Sequence, residues 1–468
     1  MMNPLENANL TPEEQNPEEL KGDGSNVFLQ AMDAAVKLTT ATAELQNKAT
    51  AAREQHRDRV IEQRIEFLEA HGISADRFRR ISLGRSDHEP SLVAKVKEGK
   101  RKREKKKKEK RASRHSSKRV IFFRYSYYDV AFKYLIEQCM DANYVKLPPR
   151  TKRTIELGSR YSTDYVCTPF KHILGDYIEA LEAGADVIVT MAGPCRLGYY
   201  GEVHASILHD LGYQFEVLNF SELRGAKEHI KAFQKINPRM DVPRAIRNLL
   251  TLVKMVQNLD EAWDFYLANA GFEVQPGSFD AAFAAYHDSM DSVTDDASLA
   301  AAHNAGMAAL RALPVNKPSN PIRVGIVGEL YTAVDQDSCL NTERKLLNLG
   351  VELHKRINLT NRYLNYNEVN LRASAADYLR YDMGPTSTLT VSAAKQFAEQ
   401  GFDGLVHIKS AGCTPEIDCV PVLQEIARDY HVPTIYLTFD SQTSDAGLDT
   451  RLEAFYDMLA MKKGANAR

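Results

Sequence analysis

From Val120 onwards, short apolar runs alternate with stretches whose apolar residues recur every third or fourth position, a pattern of buried strands separated by amphipathic helices. VIFFRY, Val120 to Tyr125, reads as a buried strand followed by a helix through about Met140. Tyr144 to Leu147 reads as a strand, Phe170 to Ala183 as a helix and Asp186 to Met191 as a strand. Gly201 to Leu211 then reads as a helix and Phe215 to Phe220 as a strand. Strand and helix in strict alternation predict a parallel sheet covered on both faces. From Ser221 to about Leu313 the pattern is helical throughout, with Ala-dense stretches such as AAFAAYHDSM and SLAAAHNAGMAALRAL, until PVNKPSNP interrupts it. A second α/β region opens with IRVGIVGEL at Ile322 and closes on the helix TRLEAFYDMLAMKK. The predicted fold class is α/β: two doubly wound parallel-sheet lobes, 120–220 and 321–468, with a helical segment, 221–320, between them.

The chain before Val120 has a different character. Residues 1–25, rich in Asn, Pro and Glu, bury too little apolar surface to offset the entropy of ordering and are expected to be disordered. Over 26–98 apolar residues return at helical spacing, first Leu29, Met32, Ala35 and Val36, later Val60, Ile61, Ile65 and Leu68. This predicts a helical arm suited to a partner or to oligomerisation. The run KRKREKKKKEKRASRHSSKR, Lys100 to Arg119, repels itself and reads as a solvated basic linker over 99–119. Phosphate contact is its functional alternative. No aromatic residue interleaves the charges, so no base-stacking surface is indicated and nucleic acid is not the expected partner.

With 468 residues, 44% of them hydrophobic, the chain has material for two or three cores. The formal net charge of -2 hides the basic run and points to no partner class. Neither a signal-peptide pattern nor a run of membrane-spanning length occurs, so a cytoplasmic protein without membrane contact is expected. Six widely scattered cysteines do not suggest a disulfide framework in that compartment, which leaves packing, ligation or nucleophilic chemistry for each.

Three cysteines stand out by position. GADVIVTMAGPC leads through a helix to FEVLNF, and GFDGLVHIKSAGC leads through a helix to PTIYLTF, with spacings that agree to one residue. Two such βαβ units aim Cys195 and Cys413 at the crevice where open α/β sheets bind ligands. Cys167, in CTPFKH, also lies just before a helix. Proline or glycine beside each of the three suits a strand-to-helix turn, and a helix N-terminus favours the thiolate that iron–sulfur ligation requires. Lys171 and Arg196 are further cations in reach of such a site. A cysteine is also a small hydrophobe that commonly packs in cores, and both readings stay open on spacing alone. No CxxC motif signals a zinc finger or thioredoxin-like site, and no local base supports a nucleophile. Cys139 reads as packing, Cys339 as part of a polar turn, and Cys419 as a residue turned off the crevice. VGIVGELYT lacks a full GxGxxG, and no Walker A sequence or HExxH-type spacing occurs. His172, His204, His209, His407 and His431 therefore read as surface or core residues. Glu202, His204, Glu416 and Asp440 fall near predicted strand ends, where acid–base chemistry is placed.

Taken in order, CTPFKHILGDYIEALEAGADVIV, GPCRLGYYGEVHASILHDLGY, RVGIVGELY, FDGLVHIKSAGCTPE and DAGLDTRLEAFYDML resemble the 2-hydroxyacyl-CoA dehydratase and dehydratase-activase-related family, over about Val120 to Leu459. The resemblance implies two α/β lobes holding a 4Fe-4S or double-cubane iron–sulfur cluster on cysteines from CxPxK-like, GPCR-like and GC-x-PE-like segments. Cys167, Cys195 and Cys413 occupy those positions. It further implies a separate ATP-hydrolysing activase that injects one low-potential electron, and assembly as a homo- or hetero-oligomer. The implied substrate is a 2-hydroxyacyl-CoA, which becomes a ketyl radical and expels hydroxide; some members of the family reduce small molecules instead. The actin-like ATPase module often fused to relatives has no counterpart among these motifs, and the arm and basic linker match nothing in the family pattern. Two functions follow: the electron-accepting component of an ATP-driven reductase or dehydratase-like system, or a non-catalytic cluster-carrying or regulatory protein docked through its helical arm.

Overall fold

Val120, Ile121 and Phe122 are almost completely buried, as consecutive apolar residues require of a strand covered on both faces. They belong to the first sheet of a computed structural model that describes residues 114–190, 195–220, 226–440 and 442–466. The expected disordered segment, the helical arm and most of the basic linker lie outside the described residues.

The first lobe contains β1 (Arg119–Phe122), α1 (Asp129–Tyr134), β2 (Asn143–Tyr144), α2 (Lys152–Tyr161), α3 (Thr168–Glu182), β3 (Val187–Thr190), α4 (Tyr200–Asp210) and β4 (Glu216–Asn219). Its sheet is parallel, in the order β2-β1-β3-β4. The helical segment follows as α5 (Ala226–Ile236), α6 (Val242–Asn269), α7 (Ser278–Asp291) and α8 (Asp296–Arg311). The second lobe opens with β5 (Ile322–Gly328), α9 (Thr342–Asn348), β6 (Val351–Lys355) and α10 (Glu368–Ser374). It continues with α11 (Gly384–Glu399), β7 (Gly404–Ser410), α12 (Thr414–Asp429), β8 (Thr434–Phe439) and α13 (Asp445–Asn466). Its sheet is also parallel, in the equivalent order β6-β5-β7-β8. The fold is thus α/β with two parallel-sheet lobes, and each sheet reverses its winding between its first and third strands, where such sheets bind ligands. Among the described residues no helix is long and apolar enough to cross a membrane.

Local chemistry explains where elements depart from the hydrophobic pattern. The first strand stops at Phe122, short of Tyr125, because the amide of Arg124 donates to Asp176 Oδ2 at 3.0 Å and Ser126 turns the chain with φ at +50°. β2 ends early because Pro148 and Pro149, which offer no N–H, follow closely. The helix after β1 changes to a π turn at Leu135–Cys139. The last residues of the basic run join the lobe: Ser116 Oγ donates to the Ile236 carbonyl at 2.9 Å and Lys118 Nζ to Glu216 at 2.6 Å. α2, absent from the hydrophobic reading, crosses α3 where Gly158 and Gly175 meet. A Cβ at either would lie 1.7 Å from the Lys171 carbonyl oxygen or 2.1 Å from that of Thr154.

One apolar core runs from the first sheet through α6 into β5 and β6, and a second fills the space around α11, α12 and the other side of the second sheet. At the joint between lobes this apolar packing is joined by a buried ionic contact. Arg150 is buried, bonds Asp176 of the first lobe at 3.1 Å and Asp335 of the second at closer range, and donates to the Tyr331 hydroxyl at 2.7 Å. Burial opposes its charge, but Asp176 and Asp335 more than restore it; Asp335 in turn is held below the usual carboxylate range by Arg150 despite its burial. Thr168 Oγ1 also donates to the Phe439 carbonyl at 3.1 Å, and His172 meets Ser338 at 2.9 Å. Arg150→Met should lower the unfolding free energy by about 3–5 kcal/mol, because it leaves buried carboxylates without their cation. Urea denaturation measures this, and a loss below about 1 kcal/mol would show that the lobes are joined chiefly by apolar packing.

Candidate functional site

Cys167 is the N-cap residue of α3, with Pro169 in the first turn. Its Sγ lies 3.2 Å from the Tyr200 hydroxyl, at the start of α4. Cys413 is the N-cap residue of α12, again with a proline, Pro415, in the first turn, and follows Gly412 at φ +76°. Cys195 precedes the single 3-10 turn that leads into α4, and its carbonyl accepts from the Gly198 amide at 3.0 Å. Because β3 and β7 hold the same place in their sheets, Cys195 and Cys413 leave at matching carboxyl ends.

Cys195 acts on both of the other thiols. Burial pushes the Cys167 thiol up to about 11, against the favourable Tyr200 hydroxyl and Phe170 amide, and the charges of Glu329 and Cys195 add to the rise. Cys413 is raised further, by burial first and then by Glu329 and Glu416, with Cys195 contributing and the Glu416 amide opposing. Both thiols keep partial exposure, yet the surrounding protein leaves them too little water to favour a thiolate. Cys167 and Cys413 therefore both lie within electrostatic reach of Cys195 and Glu329.

Glu329 follows the last residue of β5. Its oxygens accept the amides of Tyr331 at 2.7 Å and Thr332 at 2.6 Å. The Thr332 hydroxyl is close but makes no hydrogen bond of normal geometry. Burial outweighs the amides and, with Glu416 adding, lifts the Glu329 carboxyl to about 7. Gly328 makes the position reachable: its φ is +144°, and a Cβ there would lie 1.8 Å from the Ile408 carbonyl oxygen. Beneath, Glu416 Oε2 meets His407 Nε2 at 2.8 Å and Glu416 Oε1 accepts from Thr390 at 3.0 Å, all fully buried. Among the described residues His407 Nδ1 and the hydroxyls of Thr190 and Ser410, at the ends of β3 and β7, have no partner.

Of the four residues singled out for acid–base chemistry, only Glu416 belongs to this neighbourhood. His204 is buried against Phe170, with Nε2 at 3.0 Å from the Phe170 carbonyl, and burial lowers its pKa to about 3, so it is a neutral packing imidazole. Glu202 accepts from Asn219 at 2.6 Å, and Asp440 caps a surface turn through the Gln442 amide at 2.8 Å. Cys139, Cys339 and Cys419 are buried; the polar turn expected at Cys339 packs inward, and Cys419 Sγ turns to the Pro415 carbonyl at 3.2 Å. The side chain of Arg196 lies outside the described residues. Sequence reading missed Glu329, whose signal is a carboxylate directly after the strand-ending glycine of VGIVGEL.

Among the described residues no three His, Cys, Asp or Glu side chains draw together closely enough to hold one metal ion. No protein-family model matches the chain, and no curated protein matches it.

Folded Glu329 ionises at about 7, above the ordinary 4.5, so between those values the folded state holds a proton that the unfolded chain has lost. Its contribution to stability is present below that range, falls as pH rises through it and stays lost above. From about pH 5 to about pH 8, Glu329→Gln should therefore gain about 2–3 kcal/mol on the wild type in urea titrations. A difference that does not change with pH would mean the carboxylate is ionised throughout.

Proposed function

We propose that this chain is an iron–sulfur protein acting as the low-potential electron-accepting component of an ATP-driven reductase or a 2-hydroxyacyl-CoA dehydratase-like system, with Cys167, Cys195 and Cys413 as cluster ligands. The observation that carries the reading is the shared neighbourhood of three thiols delivered by three separate turns, two of them capping helices. Helix N-termini favour anionic sulfur, and thiolates are the ligands of iron–sulfur clusters. The upward shifts of Cys167 and Cys413 describe thiols facing Glu329 and Glu416 without a compensating cation, and a metal centre reverses that balance.

When bound, such a cluster supplies storage and transfer of single electrons at low potential. The protein's own groups do the rest. Cys167, Cys195 and Cys413 bind and orient; Glu329 holds or releases a proton near neutral pH at the crevice; the unpartnered Thr190 and Ser410 hydroxyls are donors for a group lodged between the strand ends. Tyr165, which is 94% exposed, Tyr199, which is 76% exposed, and Ile417 flank the three cysteines. An exposed apolar rim of this kind supports delivery of the electron by a docking protein, the role of a separate activase.

Iron and acid-labile sulfide should be present in protein purified without oxygen, with an EPR signal after reduction. Cys167→Ala, Cys195→Ala and Cys413→Ala should each lose most of both, while Cys139→Ala should lose neither. An iron-free wild type after anaerobic reconstitution would overturn the reading. Turnover of acyl-CoA or small-molecule substrates with an activase, ATP and a strong reductant then tests the enzymatic role.

A further inference from the structure

A cavity of about 510 Å3 opens where the carboxyl ends of β1 and β2, the helices α6 and α7, and the loop after β5 meet, and none of the three candidate cysteines lines it. Its volume is within the range of small-molecule sites, roughly 300–1,000 Å3. Seven of its lining side chains are aromatic, and they include Trp263, the single tryptophan of the chain. Trp263 stacks on Tyr266 with centroids 4.5 Å apart and meets Phe283 nearly edge-on at 4.7 Å and Tyr127 at 5.0 Å. These rings build a floor from α6, α7 and the turn after β1.

Above that floor the charges do not balance. Six carboxylates line the cavity against the cations Arg124, Lys146 and Arg344. Four of the six are answered: Asp129 by His287 at 2.6 Å, Asp280 by Arg344 at 3.1 Å, Glu343 by Lys355 at 2.6 Å and Asp335 by Arg150. The side-chain carboxylates of Asp288 and Asp337 make no hydrogen bond or ion pair among the described residues, and both are exposed at the cavity mouth. Burial, followed by the charge of Asp335, raises the Asp337 carboxyl above its usual range against the opposing charges of Arg150 and Arg124. The Ser126 hydroxyl in the lining is also without a partner. A neutral apolar ligand would gain nothing from these carboxylates, and an anion would be repelled. A cation with apolar substituents satisfies both features, because aromatic rings attract cations and the exposed carboxylates at the mouth attract its charge.

We propose that this cavity binds an organic ammonium ion, with its substituents on the aromatic floor around Trp263 and its charge answered by Asp288 and Asp337. The site stands apart from the cysteine crevice and is independent of any cluster there.

The single tryptophan makes the test local. Full-length protein is titrated with choline and with 3,3-dimethylbutan-1-ol, its uncharged carbon analogue, following Trp263 fluorescence and, in parallel, calorimetric heat. Choline should move the fluorescence and bind at least about tenfold more tightly than the alcohol. Asp288→Asn combined with Asp337→Asn, both at exposed positions, should keep the wild-type circular dichroism and melting temperature while losing most of that preference. Equal binding of the two ligands, no binding of choline, heat without a change at Trp263, or a preference unaltered in the double variant would each overturn the proposal.

Discussion

The two lobes depend on Arg150. A guanidinium almost excluded from water is tolerable only where anionic partners lie within bonding distance on the right sides, and here Asp176 and Asp335 come from different lobes. Breaking such a set is expensive in a way that losing an apolar contact is not, since each carboxylate left behind is also desolvated. The ionic joint therefore selects one register of lobe on lobe. His172 with Ser338 and Thr168 with the Phe439 carbonyl repeat that register beside it. Cys167 belongs to the first lobe and Cys413 to the second, so their shared electrostatic neighbourhood is a consequence of this joint.

The two sheets have the same strand order, but the crevice between them is not chemically symmetrical. The register that pairs Phe122 with Val189 in the first sheet pairs Gly328 with Ile408 in the second. Phe123 then stands where the second lobe carries Glu329. The first lobe contributes aromatic bulk and the second an ionisable group with two backbone amides to hold it. Only a glycine allows the second arrangement, because the chain leaves β5 so close to the Ile408 carbonyl. The strand ends thus differ in kind, aromatic in the first lobe and titrating in the second. The buried Glu416–His407 pair lies behind the titrating end and keeps its polar groups ordered.

Much of the fold was legible because burial on both faces leaves its mark in consecutive apolar residues. The runs at Val120, Asp186 and Ile322 each became a central strand. The cysteines were legible for a related reason: a residue that must leave a strand and start a helix is bracketed by Gly and Pro, as Gly412 and Pro415 bracket Cys413. Glu329 and Arg150 were not legible. A carboxylate or guanidinium in a sequence reads as a surface group, since such residues are rarely buried, and its burial becomes visible only when its partners, far away along the chain, are placed beside it. His204 was open to both readings, core histidine and acid–base group, and its burial against Phe170 settles it as a packed ring.

The sequence by itself determined two parallel-sheet lobes, the helical segment between them and the turns that carry Cys167, Cys195 and Cys413, because these depend on periodicity and on the backbone preferences of Gly and Pro. Tertiary structure alone decided that Arg150 joins the lobes, that Glu329 rather than Glu202 or Asp440 faces the thiols, and that the one tryptophan floors a separate cavity. Those outcomes rest on desolvation and on charge pairs formed across long stretches of chain, and such energies have no local signature.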